Sequence, residues 1–325
     1  MAPRFFPGRH LGLGSRKEGV EVTSLNGAAS MLNTAWRNRV FYLFLLPMLI
    51  LVSVFGVFPI LMSMQMSLTD SGTSLSGNPT YIWLENYRTI FSDPYFIDSL
   101  ATTVGFTVVI VPVSLLISLA IALLITGKTI RRGSIFFRLA VFIPVVAPIM
   151  ATSVIWKWMY NADFGAVNEI LSLVGMPDFA GLSRPGTALL SLGVFEVWKH
   201  IGLYIVVFAT NMQLIDNEMY EAAYIEGANY PQRTWYITIP ELRPALSLNL
   251  VYATIQFLKT FTSALVMTRG GPNFATNFVS HYAYTRFRIA EYGEATAMGT
   301  VLFVIVVLIT LFARRLTSTT EGRAV

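Results

Sequence analysis

Six long apolar runs, at 41–65, 100–126, 135–158, 187–211, 245–267 and 295–312, leave this chain little choice of solvent. A helix needs about 20 predominantly apolar residues to cross a hydrocarbon core about 30 Å thick. Membrane-barrel strands are only about 10 residues long and alternate in polarity. None of the six runs alternates. Inside hydrocarbon every backbone N–H and C=O must be bonded within the protein, so the runs are expected to be helices. Charge agrees: 13% of the 325 residues are Asp, Glu, Lys or Arg, against about 25% in a soluble domain. The expectation is an all-α integral membrane protein with six transmembrane helices.

Lys and Arg are retained on the cytoplasmic face of a membrane. With the amino terminus inside, fifteen of the 23 basic residues fall on inner segments, among them Arg4, Arg9, Arg16, Lys17, Arg37, Arg39, Lys128, Arg131, Arg132, Arg138, Arg314 and Arg315. Six fall on outer segments, and Lys199 and Lys259 lie within spans. The opposite orientation inverts that ratio. Residues 1–39 are basic and rich in Gly and Ser, and no small-residue cleavage motif closes the first span, so they are expected to be a cytosolic tail and not a removable signal. The transmembrane domain then covers 40–315, with a cytosolic loop at 213–244 and a second cytosolic tail at 316–325. The net charge of +5 reflects this orientation and gives no reason to expect a nucleic-acid partner.

No cysteine is present, which excludes disulfides, thiolate metal sites and a cysteine nucleophile. His10, His200 and His281 are scattered, so no metal site is expected. Gly127-Lys128-Thr129 imitates the end of a phosphate-binding loop. That motif needs glycine five positions earlier, where Ala122 stands, and a preceding strand, where a span stands. No catalytic residue and no cofactor of the chain's own are expected.

The outer loops are rich in turn residues: Asp70, Gly72, Gly77, Pro79, Asp93 and Pro94 in the first, Gly165, Gly175, Pro177, Gly181 and Pro185 in the second. The second has room for a short interfacial helix at most. Segment 213–244 has real helix signals. Asp216 or Asn217 can cap a helix beginning near Glu218, Gly227 can end it, and Pro231 suits the start of another. This reads as a helix-turn-helix between the fourth and fifth spans.

Within that segment stand Glu221-Ala222-Ala223-Tyr224-Ile225-Glu226-Gly227-Ala228 and, twelve residues after Gly227, Ile239-Pro240. The pattern resembles the E-A-A loop of binding-protein-dependent ABC importer permeases, E-A-A, two residues, D-G-A, then I-x-L-P. Glu226 replaces the usual Asp and Ile239 the usual Leu, both with their character kept. Leu84-Glu85-Asn86-Tyr87, Asp93-Pro94 and Thr103 resemble the first outer loop of carbohydrate-type permeases. Thr268-Arg269-Gly270-Gly271-Pro272, Thr276 and Tyr292-Gly293 are similar to the last outer loop of their leading subunit. One departure is Ile215-Asp216, where family members place Ile-Pro.

The resemblance implies a type I ABC importer permease fold in a prokaryotic inner membrane. Its coupling helix would contain Glu221, Ala222, Ala223, Glu226, Gly227 and Ala228, with Ile239 and Pro240 behind it. It implies a second homologous permease subunit, two ATPase subunits that bind ATP and Mg, and an extracytoplasmic solute-binding protein. The cargo class would be a sugar or a polyol phosphate. Physically, Ala222 and Ala223 allow close approach of a partner, Glu221 offers a charge, and Gly227 permits a tight turn.

Polar residues inside spans are the candidates for cargo contact. On a continuous helix Asn249, Gln256, Thr260 and Ser263 share one narrow stripe, with Tyr252 and Lys259 at its edge. Such a stripe lines a pathway or bonds one helix to another. Glu196, Lys199 and His200 fall within about one turn; Glu196 and Lys199 neutralise each other or form a gate. Arg269, Arg286 and Arg288 suit an anion or the acidic face of a binding protein. The alternative is a proton-coupled secondary transporter, which needs paired repeats and carboxylates deep in several spans; only Glu196 is so placed.

Overall fold

The computed structural model describes residues 39–70, 79–126 and 134–318. The tail basics Arg4 to Arg37, the turn residues Gly72 and Gly77, the triplet Gly127-Lys128-Thr129 with Arg131 and Arg132, and the tail beyond Ser318 lie outside them.

Contacts divide the chain into two units, 1–62 and 63–325. In the first, α1 (Arg39–Val52) passes through a π-helical turn (Ser53–Val57) into α2 (Phe58–Met66). The π turn has a local cause. Pro59 has no N–H for the carbonyl of Phe55 and its ring crowds that carbonyl, so the helix widens and Phe58 N–H reaches Ser53 O instead. From 43 to 62 no side chain is buried. A helix that is apolar all round belongs in lipid.

The second unit begins with a small antiparallel hairpin, β1 (Thr69–Asp70) and β2 (Thr80–Tyr81), followed by α3 (Glu85–Ser92). Its spans are α4 (Pro94–Thr126), the pair α5 (Ser134–Val146) and α6 (Ile149–Met159), α8 (Pro185–Met212), α12 (Arg243–Leu258) with α13 (Thr262–Met267), and α15 (Tyr292–Ser318). The loop between the third and fourth spans holds one short helix, α7 (Ala166–Leu173). Between the fourth and fifth spans lie α9 (Asn217–Ile225), α10 (Tyr230–Arg233), a second π turn (Thr234–Thr238) and α11 (Ile239–Glu241), and α14 (Val279–Arg288) precedes the last span. Among the described residues five helices are long and apolar enough to cross a membrane, six when the bent pair counts as one span.

Two spans differ from the continuous helices expected. The third run bends by 104° between Val146 and Ile149. Pro148 disfavours helical geometry at Ala147 and itself sits at ψ 127. The bend strands the last carbonyls of α5, and the ammonium of Lys199 collects them: Pro144 O at 2.5 Å, Ala147 O at 2.6 Å and Val145 O at 3.2 Å. A cation at a helix carboxyl end satisfies both the hydrogen bonds and the dipole. The fifth run breaks at Lys259–Phe261, where α12 ends and α13 begins.

The buried core runs in three clusters. Phe106, Leu192, Phe195, Phe257 and Phe278 form the middle one. Ile205, Phe208, Met212, Leu242 and Ala245 lie beside the 213–242 segment. Ile90, Phe96, Val279 and Met298 lie at the other end.

Helix α8 approaches α5 at Gly202, where an added Cβ would stand 2.3 Å from the backbone O of Val141. That oxygen is backbone and cannot rotate aside. Gly202→Ala is therefore expected to lower stability by about 1–3 kcal/mol, read as a fall in the thermal unfolding midpoint of the detergent-solubilised protein. An unchanged midpoint would contradict this contact.

Candidate functional site

The segment between the fourth and fifth spans is a closed local device. The carboxylate of Asp216 accepts from Glu218 N–H at 3.0 Å and starts α9. At its end Gly227 N–H bonds Tyr224 O and Ala228 N–H bonds Ala223 O, the paired 5→2 and 6→1 bonds of a Schellman motif. Gly227 adopts φ 85, which the motif requires and other residues avoid. A capping box between Asn229 and Gln232 then starts α10 with Pro231 in its first turn. The second π turn ends two residues before Pro240, as the first ends before Pro59. Tyr220 OH meets Thr238 Oγ1 at 2.9 Å and ties α9 to this turn.

Glu221, Ala222, Glu226 and Gly227 are exposed; Ala223, Ala228, Ile239 and Pro240 are half-buried. The large side chains of Leu214, Tyr224, Ile225, Tyr230, Trp235 and Tyr236 are also exposed here. A short helix with an exposed alanine, Ala222, flanked by exposed apolar and aromatic groups, is a surface suited to a protein partner.

The intramembrane candidates resolve into distinct settings. Asn249 is buried and donates from Nδ2 to the backbone O of Tyr204 at 3.2 Å. Gln256 Nε2 meets His200 Nε2 at 3.4 Å. Ser263 Oγ donates to Glu196 Oε1 by a short bond. Three residues of the fifth span thus face Tyr204, His200 and Glu196 on one face of the fourth. His200 Nδ1 lies 3.2 Å from Glu196 Oε2 and 3.0 Å from Glu196 O. The tautomer protonated at Nδ1 donates to Glu196 and accepts at Nε2 from Gln256.

Thr260 is not part of this seam: its hydroxyl donates to Phe257 O at 2.8 Å across the break in the span. The stripe drawn on a continuous helix therefore does not carry past Leu258 by angle alone. Lys199 turns to the bend in the third span, and no ion pair joins it to Glu196 among the described residues. Tyr252 and Lys259 are exposed, and Gln256 is half-buried. Sequence reasoning missed the Lys199 cap. Its signal was Pro144 and Pro148 inside an apolar run, which implies a broken helix with orphan carbonyls.

At the opposite end of the fifth span, the loop residues singled out by sequence hold the fold together. Asn86 donates to Ser67 O at 2.8 Å and Thr69 O at 3.0 Å. Thr276 joins Thr268 and the carbonyl of Gly271, both at 2.7 Å. Thr103 accepts from Val279 N–H at 3.0 Å. Arg286 is committed to Asp93 at 2.9 Å and Glu291 at 2.6 Å, with Glu294 at 3.6 Å. Burial opposes ionisation of Asp93, but bonds from Tyr282, Tyr95 N–H and Arg286 outweigh it and hold the carboxyl below the usual range. Burial and the bond to Asp93 push the Tyr282 phenol up to about 12.

No protein-family model matches the chain. It is 32% identical over 270 residues to the trehalose/maltose transport system permease protein MalF of Thermococcus litoralis, an alignment covering 83% of this chain and 90% of that protein. Among solved structures it is similar to a chain of a bacterial ABC transporter that imports the acidic polysaccharide alginate, with a TM-score of 0.78 at 22% identity over 89% of this chain and 99% of that one. A bacterial alginate ABC transporter in complex with its alginate pentasaccharide-bound periplasmic protein gives a TM-score of 0.76 at 22% identity, covering 88% of this chain and 97% of that one.

Because the folded state depresses the Asp93 pKa, its contribution to stability is complete above the unfolded value of about 3.9. It is lost as pH falls through the lower folded value. The unfolding midpoint is expected to fall as pH drops below about 4, and Asp93→Asn to start lower and drop less. Parallel curves for the two proteins would contradict the clamp.

Proposed function

The chain belongs to the permease subunits of sugar ABC importers, and from that premise we propose that α9 is the element through which a separate ATPase subunit drives it. The chain is a multi-pass membrane protein that carries a sugar-type solute. Coupling through the Glu221 segment is supported by one observation above others: α9 is capped at both ends, exposed, and strung between the two spans that share the polar seam.

The full assembly comprises this chain, a homologous permease, two ATPases that bind ATP and Mg, and a solute-binding protein. Support for the last partner is the periplasmic protein held by the similar alginate transporter. Both termini and α9 lie on the cytoplasmic side, consistent with the distribution of Lys and Arg. Closure of the ATPases draws α9 and its counterpart in the second permease together and turns the pathway outward. Reopening after hydrolysis restores the inward state. Such coupling needs only differential contacts in two states and no covalent chemistry in this chain. Asn249 and Ser263, buried in the seam, then hold the helices together, while half-buried Gln256 and exposed Tyr252 and Lys259 are the pathway candidates.

Gly227 holds φ 85, which proline, locked near −65°, cannot adopt. Gly227→Pro and Glu221→Lys are expected to reduce binding-protein-stimulated ATP hydrolysis of the reconstituted complex at least about ten-fold, within the usual range of coupling energies. Normal stimulation with intact complex recovery would refute the assignment. In the pathway, Gln256→Leu is expected to reduce solute uptake into proteoliposomes while assembly and basal ATP hydrolysis stay intact. Unchanged uptake would leave Gln256 as a packing residue.

A further inference from the structure

The loop after the fifth span and helix α14 border an open cleft of about 600 Å³ lined in part by Leu265 and Val266. That volume lies within the roughly 300–1,000 Å³ of small-molecule sites. Arg269, Arg288, Tyr284 and Thr285 also line it. Among the described residues no carboxylate lines it. Of the three arginines in this region, Arg286 is consumed by Asp93, Glu291 and Glu294. Neither Arg269 nor Arg288 has an ion pair or a side-chain hydrogen bond among the described residues.

The geometry points to a binding subsite for an acidic carbohydrate, a saccharide bearing a carboxylate or phosphate, with Arg269 and Arg288 as its charge partners. This rests on the permease reading and specifies the solute class for it. Arg269 occupies φ 53, unusual for a side-chain-bearing residue. It is held there by its N–H bond to Ala264 O at 2.7 Å and by the Thr268–Thr276 tie that closes its loop. The loop fixes where the Arg269 side chain departs, and its planar guanidinium fork matches carboxylate and phosphate oxygens.

The remaining groups suit a sugar. The Thr285 hydroxyl already donates to His281 O at 2.8 Å, so it presents an acceptor. The Tyr284 ring, 38% exposed, offers a face for stacking. His281 is buried and fixed by Asn277 Oδ1 at 2.7 Å, and burial lowers its pKa, so it adds polarity without charge. Lys157, whose ammonium lies 3.4 Å from Val266 O, places a third cation beside that lining residue.

The test uses the complete complex in lipid nanodiscs and calorimetric titration with paired probes, glucose against glucose 6-phosphate and maltose against digalacturonate. Each acidic probe is expected to bind at least about ten-fold more tightly than its neutral partner, with a preference that shrinks as salt rises. Arg269→Gln and Arg288→Gln should each narrow the preference and the double variant abolish it, whereas Arg288→Lys should retain part of it. Equal affinity within each pair, absence of acidic-probe binding, or a preference that survives the double variant would overturn the subsite. So would variants that weaken only the solute-binding protein, which would assign these arginines to an acidic protein surface. Binding-protein-stimulated ATP hydrolysis separates the two levels. Intact stimulation without acidic preference sinks the subsite alone, and its absence in the unaltered complex sinks the permease reading.

Discussion

A polar side chain inside hydrocarbon must find its partner within the protein, and that constraint builds the centre of this molecule. Asn249, Gln256 and Ser263 cannot face lipid, so α12 and α13 turn them to Tyr204, His200 and Glu196 on α8. Hydrogen bonds between membrane helices are individually worth only about 0.6–2 kcal/mol. Their collective effect is to fix rotation and register. The fourth and fifth spans become one paired element, and the exposed segment between them is a handle on that pair.

The same rule explains the broken third span. The helix breaks at Ala147-Pro148, and the freed carbonyls need a donor where water is scarce. Lys199 supplies it from α8. One face of the fourth span therefore meets the fifth through Glu196 and His200, while Lys199 secures the bend of the third. A charged residue that reads as a gate in one dimension serves in three dimensions as a helix cap.

Much of this was legible in sequence, for physical reasons. Apolar runs of membrane-spanning length leave one solution for the backbone, so the spans could be placed by counting. The caps at Asp216 and Gly227 are local chemistry and appear where the residues call for them, and Asn229 adds a box not foreseen. The partners of polar side chains were hidden, because they depend on which helices meet. Glu196 and Lys199 suggested an ion pair at three-residue spacing, yet tertiary neighbours claimed both. The stripe through Ser263 assumed an unbroken helix, and the break at Lys259–Phe261 set a new register. The loop motifs Asn86, Thr268 and Thr276 were recognisable as patterns, but their work as clamps emerged only from the hydrogen bonds.

The account turns on the handle being gripped by a nucleotide-driven partner on the cytoplasmic side. The chain has no cysteine, so one introduced thiol is its only reactive one. Ala222→Cys, paired with single-cysteine ATPase variants in native membranes, measures the contact directly by oxidative cross-linking. The account expects a cross-link whose yield changes when ATP is trapped. Labelling of Ala222→Cys by an impermeant thiol reagent added outside intact cells, with no cross-link to the ATPase, would contradict it.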